Sequence, residues 1–451
     1  MRLFLTGATG FVGRAFLRRL PADRFESVTA LVRDPAKRPE LAGLHSGVRL
    51  IPGDLTAFPA AAREAAAAAD VVLHLAATTG KARAAEHERV IVDGTRALLE
   101  AVQESRPRFV HVSTIAATYP ELDHYPYGRA KRDAEALVRA SGLDWAILRP
   151  TIVFGPGSPV GRSLRSLASA PVLPRFGGGH ARMHPVHVDD VAEVLVRLLA
   201  ADPLGGRTID FGGRDVVTFR EFLERLRTAI GRGAGPAVSI PVRPLIGTLA
   251  ALERVAGDAL PVAAGQFYAF AHDGVAAVDA ADSLVPPQAE RRGVQEIVSE
   301  LATPATPDSA FPDPAPADET LAREARLFTR HLIGREPPSS VMAKYSLAHA
   351  PGRHGPGGGD HDRLVLLARR GTFATRLADA WAAVFDRGGV LRRKLVLLLA
   401  ILESTGETAA AVDTPDSGGA PTFFLRAARD GIVFVATLVF AAPFVWGSRR
   451  R

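Results

Sequence analysis

Through the first 150 residues, short apolar runs rich in β-branched side chains alternate with longer stretches whose apolar positions recur every three or four residues. The runs at residues 3–6, 27–32, 48–51, 70–75, 108–113 and 144–148 predict strands; the stretches at 11–20, 57–69, 84–105 and 128–141 predict helices. The strand runs are close to continuous in apolar character, as expected of strands covered on both faces. Strand and helix in regular succession predict a doubly wound parallel sheet with right-handed crossovers, the Rossmann kind of α/β fold.

Beyond Pro150 the rhythm loosens. GPGSP at 155–159 and RFGGGH at 175–180 predict loops above the carboxyl edge of the sheet, where substrate-contacting segments usually lie. A strand-to-helix step returns at 184–200, and 219–230 predicts a further amphipathic helix. We therefore divide the chain into a dinucleotide-binding domain at 1–302, whose substrate region covers about 151–302, a proline-rich linker at 303–318, and a helical C-terminal region at 319–451. Within that last region, 363–385 and 390–403 read as helices. The preceding stretch at 350–362, with His354, Asp360 and His361, reads as glycine-rich linker rather than a metal site.

Charge changes the picture only for the C-terminal region. Cations and anions balance through Asp318, so the net charge of +7 lies wholly beyond it. This points to an anionic surface such as a membrane face as the partner of the tail, and not to nucleic acid. The uncharged run at 431–447 lies between Arg426 and Arg429 on one side and Arg449 to Arg451 on the other. It reads as membrane contact by a short span or an interfacial helix, with a buried soluble helix as the alternative. The chain has no cysteine, which excludes disulfides, thiolate metal sites and cysteine nucleophiles. Its apolar N-terminus runs straight into the glycine turn, so the expectation is a cytoplasmic protein, with the inner face of the membrane as the alternative place.

The most informative segment is LTGATGFVG, residues 5–13. Gly7, Gly10 and Gly13 have the spacing by which a strand turns tightly into a helix and a pyrophosphate can approach the backbone at the helix's positive end. Thr6, Phe11, Val12 and Arg14 belong to the same turn. The second chemical signal is Tyr127 and Lys131, four apart on one face of a predicted helix, where a nearby ammonium is expected to lower the phenol's pKa toward working pH. The preceding strand ends in Ser113 and Thr114, which could place a hydroxyl beside them.

Taken together, TGATGFVG, GDLT at 53–56, HLAA at 74–77, VDGTRALLEA at 92–101, VSTIAA at 112–117, YGRAK at 127–131, LRPTIVFGPG at 148–157 and HPVHVDDVA at 184–192 resemble the short-chain dehydrogenase/reductase superfamily. The resemblance covers roughly residues 1–300 and is to its extended and atypical branches. These include nucleotide-sugar epimerases and dehydratases, 3β-hydroxysteroid dehydrogenases and the reductase-like accessory subunit of respiratory complex I. It implies that Tyr127 and Lys131 are the acid/base pair, and that Thr114, with Ser113 as its alternative, positions the substrate oxygen. It also implies that Asp54 and Leu55 lie by the adenine, that Leu75, Ala76 and Ala77 line the cofactor cleft, and that Pro150, Thr151, Ile152 and Val153 flank the nicotinamide. Ile91 stands where many relatives carry asparagine, and the interval from Thr114 to Tyr127 is short, as in atypical members.

At the end of the second strand, Arg33, with Lys37 and Arg14 nearby, favours the 2′-phosphate of NADP(H), while Asp34 would suit NAD. The resulting expectation is an NAD(P)(H)-dependent oxidoreductase that moves a hydride to or from a carbonyl or alcohol carbon of a small, possibly hydrophobic molecule. The alternatives are a nucleotide-sugar epimerase or dehydratase, and a cofactor-binding structural subunit of a membrane complex.

Overall fold

The computed structural model describes residues 1–303 apart from 22, 38–39, 46, 80–81, 83, 170–172, 257–263 and 278–283. The linker at 303–318 beyond its first residue, the helical region at 319–451 and the run at 431–447 lie outside the described residues. Among those described, no helix is long and apolar enough to cross a membrane.

Seven strands form one parallel sheet: β1 Arg2–Thr6, β2 Ser27–Val32, β3 Val48–Pro52, β4 Val71–His74, β5 Arg108–Val112, β6 Trp145–Pro150 and β7 Arg207–Phe211. Their spatial order is β7-β6-β5-β4-β1-β2-β3. The order reverses between β1 and β4, and the crevice outside the carboxyl ends at such a point is where doubly wound folds bind ligands. In register, Thr6 faces His74, and His74 faces His111.

The helices are α1 Phe11–Arg19, α2 Ala60–Ala67, α3 Gly94–Val102, α4 Pro126–Ala140, α5 Pro159–Ser169, α6 Val188–Ala200, α7 Phe219–Ala229, α8 Val242–Ala256 and α9 Val294–Ala302. Strand residues alternate between two covered faces. Leu3, Leu5, Val71, Leu73, Val110, Val112 and Leu148 pack with Phe16 and Leu17 of α1 and Val191, Leu195 and Leu198 of α6. Phe4, Val72, Phe109 and Ile147 point the other way, toward Ala62, Ala66, Leu98, Val102 and Val138 of α2, α3 and α4. A separate core of Phe154, Phe176, Phe219, Phe222 and Ile297 forms among the residues that follow β6.

The six predicted strands and the doubly wound class are present. The structure adds β7, α5 and α8, which the sequence pattern left within looser chain. It also breaks the helix expected over 84–105. A short helix at Ala84–His87 runs into a π-helical turn at Glu88–Asp93 before α3 begins. Such turns insert one extra residue per turn and often mark functional sites.

Candidate active site

β1 delivers the chain into the glycine turn at the switch point. Gly7 adopts φ +78°, and a Cβ there would come within 2.7 Å of the Leu75 carbonyl carbon and the Ala76 nitrogen, so the turn lies directly against the end of β4. A Cβ on Gly13 would meet the Gly7 carbonyl oxygen at 2.3 Å. Gly10 is the N-cap of α1, with no side-chain cap and no carboxylate in the first turn, and this suits the positive end of the helix to an anion. Thr6 ties the two walls of the crevice together, because its Oγ1 accepts the Ala76 N–H at 3.3 Å while its carbonyl accepts the Leu75 N–H at 3.1 Å. These are features a dinucleotide cradle requires: a turn that its glycines let pack tightly against β4 and α1, and a helix end open to the phosphates.

Other residues expected around the cofactor occupy the same edge with differing roles. Arg33 is exposed just past β2. Arg14 does not project outward as a phosphate ligand would; it is 5% exposed and its Nε donates to the Thr9 carbonyl at 3.2 Å, bracing the turn from inside. Asp54 Oδ1 accepts the Thr56 N–H at 2.9 Å, and Leu55 is buried beneath Gly94. Pro150 and Thr151 are buried, and the Thr151 hydroxyl is committed to the His184 carbonyl, leaving Ile152 and Val153 as the partly exposed residues of that wall. Gly155 keeps this segment close to α1, since a Cβ there would lie 3.5 Å from the Phe11 ring.

The two hydroxyls after β5 separate cleanly. Thr114 is partly exposed and accepts the Ala116 N–H at 3.3 Å, which leaves its own hydrogen free to be donated. Ser113 is buried on the face that meets α4, with its hydroxyl turned toward Glu135. Of the two, Thr114 is the one at the edge.

Pro126 starts α4, where its missing N–H costs nothing, and the first turn carries Tyr127. The Tyr127 ring lies 5.7 Å from His87 and 5.9 Å from Tyr125, and it packs with Ile91, Ala77 and Ala130. Its hydroxyl makes no hydrogen bond to a described residue. One turn on, Lys131 is 2% exposed and donates from Nζ to the Val112 carbonyl at 2.7 Å. The expectation that the ammonium makes the phenol acidic is not met. Burial pushes the Tyr127 pKa up to about 12, while burial brings Lys131 down to about 8 despite the nearby Glu135 carboxylate. In both groups desolvation is the larger influence, because each charged form would sit away from water. Tyr127 is therefore a neutral phenol at pH 7, equipped to donate a proton.

Behind these residues lies a polar layer whose roles the sequence did not disclose. His74 and His111 are both buried, with rings 5.2 Å apart. Neither nitrogen of His111 has a hydrogen-bond partner. Glu135 is fully buried and receives hydrogen bonds from Arg149 at 2.6 and 2.8 Å and from Arg139 at 2.7 Å. The available signal was a histidine near the carboxyl end of each of two otherwise apolar strand runs, VVLH and FVHV. Among the described residues, no cluster of three or more His, Asp or Glu side chains could hold a metal ion.

Fold and site together define a Rossmann dinucleotide-binding protein with a Tyr-x-x-x-Lys pair at its switch-point edge. More particularly, residues 3–211 match the NAD dependent epimerase/dehydratase family, and the chain belongs to that family as an NAD(P)-dependent enzyme of the oxidoreductase or epimerase/dehydratase kind. It is 35% identical over 229 residues to the ceramide reductase of Caulobacter vibrioides, covering 50% of this chain and 70% of that protein. It is 32% identical over 248 residues to the 4-hydroxy-2-methyl-3-oxo-4-farnesyl-3,4-dihydroquinoline-1-oxide ketoreductase of Stigmatella aurantiaca, covering 50% of this chain and 72% of that protein. Its fold matches the crystal structure of gox2253 with a TM-score of 0.53 at 23% identity, over 66% of this chain and 96% of that one.

Proposed function

We propose that the protein is an NADP(H)-dependent reductase of an apolar carbonyl compound. The observation that carries this reading is the Tyr127 phenol on one helix face with Lys131, in a fold whose glycine turn and open α1 N-terminus suit a dinucleotide. The turn from Thr6 to Gly13 would hold the pyrophosphate, Leu75, Ala76 and Ala77 the adjoining wall, and Asp54 and Leu55 the adenine end. Exposed Arg33, with no described carboxylate paired to it, favours the 2′-phosphate of NADP(H).

The cofactor, when bound, supplies a hydride for the carbonyl carbon. Tyr127 gives its hydroxyl proton to the carbonyl oxygen, Thr114 donates a hydrogen bond that orients that oxygen, and Lys131 is placed for the ribose hydroxyls. The apolar substrate is supported by the surroundings of the phenol, where Tyr125 stacks on Tyr268 at 5.5 Å and Tyr119 on His272 at 5.1 Å. The two related reductases carry names that include a ceramide and a farnesyl-bearing quinoline oxide, in keeping with this class.

The test is consumption of NADPH and of NADH by the purified chain with long-chain and polyprenyl ketones, set against UDP- and dTDP-sugars. The expected result is NADPH oxidation with an apolar ketone, reduced by about 10²- to 10⁴-fold in Tyr127→Phe. Activity undiminished in that variant would end the proton-donor role, and conversion of a nucleotide sugar without net NADPH consumption would replace the reading.

A further inference from the structure

A chain of buried hydrogen bonds runs beneath the site from the cofactor turn to the helix that bears the phenol. The Ala76 N–H donates to Thr6 Oγ1, Thr6 Oγ1 lies 2.7 Å from His74 Nδ1, and His74 Nε2 lies 3.0 Å from Thr95 Oγ1. The Thr95 hydroxyl donates to the Ile91 carbonyl. Donor counting fixes every proton. Thr95 has spent its single hydrogen on Ile91, so it must accept from His74, which places the ring proton on Nε2. A neutral imidazole then has Nδ1 as an acceptor for the Thr6 hydroxyl. Neutrality is enforced by the surroundings. His74 is wholly buried, with Phe109 and His111 against its ring and the Lys131 ammonium nearby, and burial first and that charge second lower its pKa to about 3.

Both ends of the chain meet functional elements. At one end, Thr6 and Ala76 form the contact between glycine turn and β4 that Gly7 permits. At the other, Ile91 sits in the π-helical turn and packs with Ala130, Ala134 and Tyr127 of α4. We infer that His74 is a positioning residue that couples the dinucleotide turn to the helix carrying Tyr127 and Lys131. The inference rests on the dinucleotide reading above for what occupies the turn. Ile91 fits this arrangement: its side chain fills the apolar contact with Tyr127, and its backbone carbonyl supplies the polar group.

The experiment is ¹⁵N NMR of histidine-labelled full-length protein between pH 5 and 8, with NADPH as the probe ligand, together with NADPH binding by fluorescence for Thr95→Val and Thr95→Ser. The expected result is a His74 ring that stays neutral and protonated at Nε2 throughout and whose resonances shift on NADPH addition. Thr95→Val, remote from the cleft, should weaken NADPH binding about tenfold, as expected for one lost buried hydrogen bond, and Thr95→Ser should restore it. A His74 that titrates in this range or carries its proton on Nδ1 overturns the inference, a result that needs no variant to fold. Wild-type affinity in Thr95→Val overturns the coupling alone, whereas failure of the wild type to bind NADPH or NADH overturns the dinucleotide reading and the coupling with it.

Discussion

The two faces of the central sheet are built on opposite terms. On the face toward α1 and α6, every buried position of β1, β4, β5 and β6 is aliphatic, and the helices answer with Phe16, Leu17, Val191 and Leu195. On the face toward α3 and α4, the apolar layer of Phe4, Val72 and Phe109 gives way near the carboxyl ends to Thr6, His74, His111, Ser113 and Arg149, met by Thr95, Lys131 and Glu135. Burying such groups is costly unless each is paired, and pairing rarely returns more than apolar packing would. Among the strand residues, the buried polar groups lie on this face alone, under the glycine turn and the Tyr127 helix; the buried polar groups of the opposite face, Arg14 and His187, belong to α1 and to the N-cap of α6. This placement indicates that the strand groups serve the site rather than the fold.

The largest effects should separate the faces by pH rather than by size. Phe16→Ala empties a fully buried site on the apolar face and should cost about 3–5 kcal/mol. Glu135→Gln should cost a similar amount, about 3 kcal/mol, by removing the buried charge that faces Arg149 and Arg139 and leaving Asp210, at 3.4 Å, as the carboxylate paired with Arg149. Burial alone would raise the Glu135 pKa, but the hydrogen bonds from Arg149, with Arg139 adding, hold it below the usual carboxylate range. Its contribution is therefore present above the unfolded carboxylate pKa and lost as pH falls through the folded one. In urea titrations the Glu135→Gln deficit should shrink in acid while the Phe16→Ala deficit persists; a Glu135→Gln deficit that persisted equally would mean the carboxylate's charge contributes nothing.

This division also explains what could be read in advance. The apolar layers of both faces write themselves into the sequence as runs such as LFL and VVL, and glycine spacing announces the turn, because both depend on local geometry. The polar face could not be read so directly. His74 was visible in HLAA and Thr95 in VDGTR, but their hydrogen bonds join residues 21 apart and Thr6 to His74 joins residues 68 apart. The π-helical turn escaped because residues 84–105 keep helical periodicity through it. Arg14 and Ser113 were assigned to the site by position alone, and tertiary packing turned both inward. The pKa order of Tyr127 and Lys131 depends on burial of both groups, which spacing does not report.

Acid should expose the cost of the two strand histidines. Burial, with Lys131 adding, lowers His74 to about 3 and His111 well below its ordinary value. The unfolded chain then takes up protons below pH 6.5 that the folded protein refuses, so stability falls as pH drops from about 6.5 toward the folded pKa. Two such groups should cost about 3 kcal/mol between pH 6.5 and 5, with His87 and His184, also lowered by burial, steepening the slope. His111→Leu removes a ring with no hydrogen-bond partner and should recover about half of that loss at pH 5 while leaving pH 7.5 nearly unchanged. Parallel stability profiles for variant and wild type would show that His111 is protonated in the fold.

The smallest effect is the one that runs against intuition. Lys131 is buried, its folded pKa of about 8 lies below the ordinary 10.5, and at pH 7 the fold must hold an ammonium in a desolvated layer. Its hydrogen bond to the Val112 carbonyl and its proximity to Glu135 offset part of that cost. Lys131→Met keeps the length of the side chain and removes the charge, so it should stabilise the protein by about 1–2 kcal/mol at pH 7 once the lost hydrogen bond is deducted. The sign reverses with base. Between pH 8 and 10.5 the wild-type lysine is neutral in the fold and protonated in the unfolded chain, so wild-type stability rises while the variant's does not, and the advantage should vanish near pH 9.5. Urea titrations at the two pH values decide it, with activity expected to be lost in the same variant. A Met variant less stable than wild type at pH 7 would show that the lysine supports the fold, and the contrast between the two faces would then lose its functional meaning at this position.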